Sequence, residues 1–230
     1  MEVYLIRTDD KRKEDLSDLL SYVEDDYREK VLRYRFPADR KRSLYGHLLA
    51  RYAIIKEWGL KNSEIKMLTG PYGKPYLKDR EDVFFNVSHS GDLAVCVTGK
   101  GPVGIDVQEI KGTKEGLAQR FFSKEENHSL AGLTKEEREK AFFSLWSLKE
   151  AYIKAEGKGL SIPLDSFSIL LKGSEIKLYI EGEEKEGYSF RQYDGWDGYA
   201  LSVCAMGDDL PESVRETDIE DIIKMLESCG

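Results

Sequence analysis

Two stretches of this chain echo each other, and that repetition restricts the fold more than any other feature. Leu48, Tyr52 and Gly59-Leu60 recur one hundred positions later as Leu148, Tyr152 and Gly159-Leu160. A short apolar segment follows each set, at 65–68 and at 167–170. LAVCVTG at 93–99 is echoed by LSVCAMG at 201–207. The period is far too long for a solenoid and suits a duplicated unit, with chance recurrence of apolar patterns as the alternative. It predicts an α+β fold: a pseudo-dimer of two similar α/β halves, residues 1–101 and 102–206, joined near 100–102. An acidic tail, 207–230, follows. Two halves packed about an approximate dyad leave a cleft between them, the natural place for a ligand and for an active site.

Periodicity supplies the elements. A strand is expected at 1–7, helices at 16–34 and 41–58, and β runs at 82–87, 93–98 and 103–107. A helical stretch at 124–130 and a long helix at 135–156 come next. Further β runs are expected at 166–171, 177–180, 188–192 and 199–205, and a short amphipathic helix at 218–226.

Composition removes several classes of function. There are 35 Lys and Arg against 43 Asp and Glu, a net charge of −8, which argues against a general nucleic-acid binder. Apolar residues at 40 % provide for a real core. No apolar run approaches the ~18–20 residues of a membrane span, so no membrane partner is expected. The opening MEVYLIRTDD has no basic segment leading into an apolar one, as a secretory signal would. Cys96, Cys204 and Cys229 are an odd set without CxxC spacing, which fits a reducing, cytoplasmic setting. Against the acidic background, residues 27–51 carry eight basic side chains and two acidic ones. Such a patch is either a solvated helix face or a site for an anionic ligand or acidic partner.

Four segments can carry chemistry. GPYGKP at 70–75 is a tight turn that could offer backbone groups to a base or phosphate. FNVSHSG at 85–91 places a hydroxyl, Ser88, and an imidazole, His89, at a strand end, where both can donate to phosphate oxygens. VGIDVQE at 103–109 is an apolar strand carrying Asp106; Gln108 shares its side of the strand and Glu109 points to the other. A strand-end carboxylate suits a hard metal, although Asp106 could equally cap a turn. In WSLKEAYIKAEGKG at 146–159, Glu150 and Lys154 stand at i and i+4 on one helical face. As a surface ion pair they would contribute only ~0.3–0.5 kcal/mol; in a cleft they could hold a metal and a phosphate.

In this order, GKP at 73–75, FNVSHSG at 85–91, VGIDV at 103–107, FFSKEE at 121–126 and WSLKEAYIKAEGKGL at 146–160 resemble the 4′-phosphopantetheinyl transferases, in particular the surfactin-synthetase-type (Sfp-type) branch. The continuation SIPLDSFSI at 161–169 resembles it too, and the likeness extends to about residue 206. It implies a monomeric enzyme of nonribosomal peptide and polyketide synthesis. Such an enzyme moves the phosphopantetheine arm of coenzyme A to a serine of an acyl, peptidyl or aryl carrier protein and releases adenosine 3′,5′-bisphosphate. It also implies roles. Asp106, Glu150 and, in place of the usual acid, Gln108 would be the Mg²⁺ ligands, with Glu109 or water as alternatives to Gln108. Lys154 would face the attacked phosphate and Glu150 would act as base. Lys30, Arg42, Ser43, Ser88 and His89 would contact the phosphates, and Gly73, Lys74 and Pro75 would form the adenine-side loop. Tyr27 occupies a position where the family has a basic residue. Another Mg²⁺-dependent phosphoester enzyme and a non-catalytic carrier-binding module are the competing readings.

Overall fold

Three strands of the first half find counterparts in the second. The computed structural model describes residues 1–9, 16–113, 116–173, 175–207 and 210–229. The first half holds β1 (Glu2–Arg7), α1 (Asp25–Leu32), α2 (Pro37–Trp58), β2 (Met67–Thr69), β3 (Pro75–Leu77), β4 (Phe84–Ser90) and β5 (Leu93–Gly99). The second holds β6 (Val103–Glu109), α3 (Leu117–Phe121), α4 (Lys124–Ser129), α5 (Lys135–Glu156), β7 (Phe167–Lys172), β8 (Glu175–Ile180), β9 (Glu183–Glu184), β10 (Tyr188–Tyr193) and β11 (Tyr199–Met206). The chain continues through β12 (Arg215–Thr217) and α6 (Ile219–Ser228). The first sheet runs β12-β1-β5-β4 and the second β10-β11-β6. In both, the central strand pairs antiparallel with its two neighbours, so β1-β5-β4 matches β6-β11-β10.

Strand alternation divides the core into three. Tyr4, Ile6, Ala94 and Cys96 face α2 in one apolar cluster. Val3, Leu5, Val95 and Val97 face Val103, Ile105, Val107 and Val203 across the two sheets. Leu148, Ala151 and Tyr152 of α5 centre the third cluster, with Phe167 and Cys204. The halves therefore meet sheet to sheet, each with its long helix outside.

Both long helices have 22 residues. Thr134 caps α5 reciprocally with Glu137, and Pro37 opens α2 at a position where its missing N–H costs nothing. Gly59 and Gly157 end them in the left-handed conformation. The helix ends are thus offset by two residues less than the sequence echo: Gly157, not Gly159, is the structural equivalent of Gly59.

Two expectations change. Residues 16–34 are not one helix: a 3₁₀ turn at Leu19–Tyr22 and α1 are separated by extended backbone at Val23 and Glu24. Glu24 leaves helical geometry because its carboxylate is drawn into the core, where it accepts from Arg51 Nη1 at 2.9 Å and from Met67 N at 3.0 Å and pairs with His47 Nε2 at 3.1 Å. The acidic segment after residue 207 packs back on the first half. There β12 adds to β1 in parallel, and Ile219, Ile222 and Leu226 enter the α2 core. Asp208, where that segment begins, lies outside the described residues.

Candidate active site

The site begins with Gly104. A Cβ there would sit 2.0 Å from Ala151 O and 2.4 Å from Ala155 N, so α5 lies directly on the backbone of β6. Two residues on, Asp106 points at the same helix. It is 2 % exposed and accepts from Lys154 Nζ at 2.6 Å, from Ser88 Oγ at 2.8 Å and from Gln108 Nε2 at 2.8 Å. Lys154 Nζ also donates to Ser88 Oγ at 2.9 Å and Ile105 O at 3.1 Å. Glu150 lies one turn before Lys154 on the same helix. Its carboxyl is pushed above its ordinary value, first by burial and then by the charge of Asp106, with Lys154 pulling the other way. Asp106, Glu150, Lys154 and Ser88 therefore converge.

The ladder between β6 and β11 is continuous through Glu109, without a bulge. Gln108 accordingly stands beside Asp106, its amide nitrogen on the carboxylate. Glu109 turns away to pair with Lys111 at 3.1 Å.

β6 pairs with β11 on one edge only. Side chains of β4 cover its other edge. Ile105 N donates to Asn86 Oδ1 at 3.0 Å, Val107 N to Ser88 Oγ at 3.4 Å and Glu109 N to Ser90 Oγ at 3.0 Å. The motif NVSHS is thus two-faced: Asn86, Ser88 and Ser90 join the halves, while Val87 and His89 face a groove. The alternation of small polar residues was a readable signal of this ladder.

That groove has a volume of about 410 Å³. Lys30, Ser43, Gly73, Pro75 and His89 line it, together with Tyr27, Tyr34 and His47. Tyr27 stacks on buried His47 with ring centroids 3.7 Å apart, and its hydroxyl lies 2.9 Å from Ser43 Oγ. Lys30 Nζ stands 5.4 Å from the Tyr27 ring centroid. Packing of protein atoms around His89, then the charges of Lys154 and Arg42, lower its proton affinity. His89 is the link between the groove and the Asp106 cluster. Arg42 stands beside the groove, its guanidinium on Gly91 O at 3.1 Å and on Asp39.

One residue of the loop turns away. Lys74 Nζ donates to Val103 O at 3.0 Å and Ala155 O at 3.2 Å, so its ammonium binds backbone of the second half.

Sequence reasoning missed the pair that anchors α5. Lys149 and Glu126 are both fully buried; Lys149 Nζ lies 2.6 and 2.7 Å from the two Glu126 oxygens and 2.7 Å from Phe167 O. Glu126 also accepts from Ser123 N at 2.8 Å and Ile169 N at 2.7 Å. Every polar group is satisfied, the condition for tolerating such a pair. Lys149 fixes the rotation of the helix that presents Glu150 next to it.

Comparison with known proteins places the chain in a family. Residues 102–204 match the family model described as the 4'-phosphopantetheinyl transferase superfamily, and residues 10–100 match the model of its N-terminal part. The chain belongs to the 4′-phosphopantetheinyl transferases. It is 36 % identical over 225 residues to the 4'-phosphopantetheinyl transferase Sfp of Bacillus subtilis (strain 168), covering 97 % of this chain and 100 % of that one. It is 33 % identical over 230 residues to psf-1 of Bacillus pumilus, covering 98 % and 99 %. HetI of Nostoc sp. is 35 % identical over 181 residues, 76 % of each chain. Within the family, it is of the Sfp type.

Proposed function

We propose that this enzyme moves the 4′-phosphopantetheine arm of coenzyme A to a serine of an apo carrier protein, using the cluster of Ser88, Asp106, Glu150 and Lys154. That convergence on the junction of the halves is the observation that carries the assignment of residues. The nucleotide end of coenzyme A lies in the groove, with Lys30, Ser43 and His89 toward its phosphates and Gly73 and Pro75 toward the base. Lys154 meets the phosphate under attack and stabilises the charge that develops on it. Glu150, one turn from Lys154 on the same helix face, takes the proton of the carrier serine, whose hydroxyl needs a base to attack. The serine oxygen bonds to the phosphorus of the arm. The bond from that phosphorus to the bridging oxygen breaks, and its electron pair leaves on adenosine 3′,5′-bisphosphate.

The donor set suits Mg²⁺. Two carboxylates share one region, Asp106 raising the proton affinity of Glu150, and a cation would relieve that repulsion. Among the described residues, no group of three His, Cys, Asp or Glu side chains could hold a metal. Asp106 and Glu150 would be the acidic ligands, with Gln108, water and the diphosphate available to complete the shell, since this ion usually takes one or two carboxylates and keeps several waters. Bound there, Mg²⁺ would supply charge neutralisation of the diphosphate.

The first half supplies the groove and Ser88, and the second supplies Asp106, Glu150 and Lys154 beside them, which supports action as a monomer. Buried, unpaired Cys96 and Cys204 support a reducing, cytoplasmic setting. Among the described residues no helix is long and apolar enough to cross a membrane. The deciding experiment is intact mass of several apo carriers after incubation with coenzyme A and Mg²⁺. A gain of one phosphopantetheinyl arm on the carrier supports the reading. Release of the arm as free phosphopantetheine, without a carrier adduct, would assign a hydrolase instead.

A further inference from the structure

β6 carries Asp106, yet only one of its edges is paired with another strand. On the open edge, Asn86, Ser88 and Ser90 take the N–H groups of Ile105, Val107 and Glu109. Two carbonyls of that edge go to lysines. Lys154 Nζ takes Ile105 O at 3.1 Å, and Lys74 Nζ takes Val103 O at 3.0 Å. Lys74 thus occupies the next carbonyl along the same edge. It also bonds Ala155 O at 3.2 Å, in the last turn of α5, where carbonyls lack helical partners and a cation is favoured. One ammonium therefore ties the loop beside the groove, the start of β6 and the end of α5. Lys74 Cδ stands 3.3 Å from where a Cβ on Gly157 would be, so the stem is packed as well.

We propose that Lys74 is a positioning residue for the transfer: by closing the open edge of β6 against the last turn of α5, it fixes Asp106 relative to Glu150 and Lys154. The inference rests on the reading of the site given above. Its alternative is a Lys74 that contacts the co-substrate directly.

The experiment compares Lys74→Met and Lys74→Arg with the parent in steady-state transfer using coenzyme A and 3′-dephospho-coenzyme A. It adds two readouts besides activity: calorimetric affinity for adenosine 3′,5′-bisphosphate, and hydrogen exchange of the amides of β6 and of residues 154–158. Lys74→Met should lower kcat about tenfold or more, as expected when a group that orients catalytic residues is lost. KM for the two co-substrates should change by the same factor and nucleotide affinity should stay within about threefold, because no phosphate contact is lost. Exchange in β6 and at 154–158 should accelerate. Lys74→Arg, which keeps donors for both carbonyls, should recover most of kcat and of the protection. A loss confined to KM for coenzyme A with weakened nucleotide binding would overturn the proposal in favour of direct contact. Unchanged exchange with unchanged kcat would overturn it as well. If Lys74→Met does not fold, the Arg variant decides: parent-like protection and kcat support the proposal, and full loss of both overturns it. A parent that fails to load the carrier would instead refute the reading of the site itself.

Discussion

The contact between α5 and β6 makes a strong prediction for Gly104→Ala. The new methyl carbon would stand 2.0 Å from Ala151 O, 2.4 Å from Ala155 N and 2.9 Å from Lys154 C. All three are backbone atoms of one helix, so no side-chain rotation relieves the clash. To reach ordinary van der Waals separation the helix must recede by about 1.4 Å at the nearest contact. It is not free to do so. Ser147 Oγ is 2.7 Å from Ser202 Oγ of β11, and Lys149 is held inside the second core by Glu126 and Phe167 O. Overpacking of this kind costs about 1–3 kcal/mol. The displacement falls on Glu150 and Lys154 relative to Asp106, and a misplacement near 1 Å can cost about 10²-fold in rate. The expected result is a variant less stable by about 1–3 kcal/mol in urea unfolding, with kcat for carrier loading down about 10²-fold. KM for coenzyme A should move less, because Lys30, Ser43 and Pro75 belong to the other half. Gly112→Ala is the control: nothing lies within 4 Å of its Cβ position, and stability should change by under ~0.5 kcal/mol. A folded Gly104→Ala enzyme with kcat within threefold of the parent would refute the argument that this backbone contact sets the catalytic geometry.

Asp106→Ala and Glu150→Ala should each lower turnover by about 10²-fold or more while the fold survives; near-parental turnover in both would remove them from the chemistry. Without divalent cations, Asp106→Asn should bring the Glu150 carboxyl back toward its ordinary value in a carboxyl NMR titration, since part of the elevation is the Asp106 charge; no movement would leave burial as the whole cause. Lys149→Met should cost about 3–5 kcal/mol by stranding the Glu126 carboxylate, and adding Glu126→Gln should recover part of that loss in thermal melts; strict additivity would deny the coupling. Burial alone would raise the Glu24 carboxyl, but His47, Arg51 and Met67 N–H outweigh it and hold it at about 2. Its contribution, up to about 3 kcal/mol before solvent screening, is complete above the unfolded value and is lost as pH falls toward 2. The stability gap between parent and Glu24→Gln in urea should therefore close as pH falls from 5 to 2.5, and a constant gap would acquit Glu24.

Much of the site was legible because its chemistry follows local periods. Asp106 and Gln108 share a side because a strand alternates, and the continuous β6–β11 ladder keeps that alternation through Glu109. Glu150 and Lys154 share a face because a helix turns every 3.6 residues. The basic stretch before residue 51 was legible as charge, but not in its division of labour. Lys30 borders the groove, Arg42 is held by Gly91 O and Asp39, and Arg51 is buried on Glu24, Asn62 and Ile65 O. The break at Val23 and Glu24 was illegible for the same reason. Its cause is Arg51 and His47, more than twenty residues away, where burial of a shared charge outweighs local helix preference.

Lysine shows most plainly where sequence reasoning runs out. Lys74, Lys149 and Lys154 all sit in signature segments, and their sequence context singles out Lys154 for a phosphate, sets Lys74 in a ligand loop and gives no role to Lys149. Their fates are set by which oxygen atoms the tertiary fold leaves without a partner. Lys149 is enclosed with a carboxylate and a carbonyl, and every donor it has is used inside the core. Lys74 is taken by two backbone carbonyls at the seam between the halves. Lys154 alone of the three couples a backbone carbonyl to the site carboxylate and hydroxyl, and its side chain remains 26 % exposed toward the cleft. Only an ammonium that keeps contact with both solvent and Asp106 can exchange its present partners for a phosphate oxygen. The open edge of β6 therefore sorts the lysines: one strand supplies the Val103 carbonyl that holds Lys74 and the Asp106 carboxylate that, on the proposed reading, holds Lys154 ready for a phosphate.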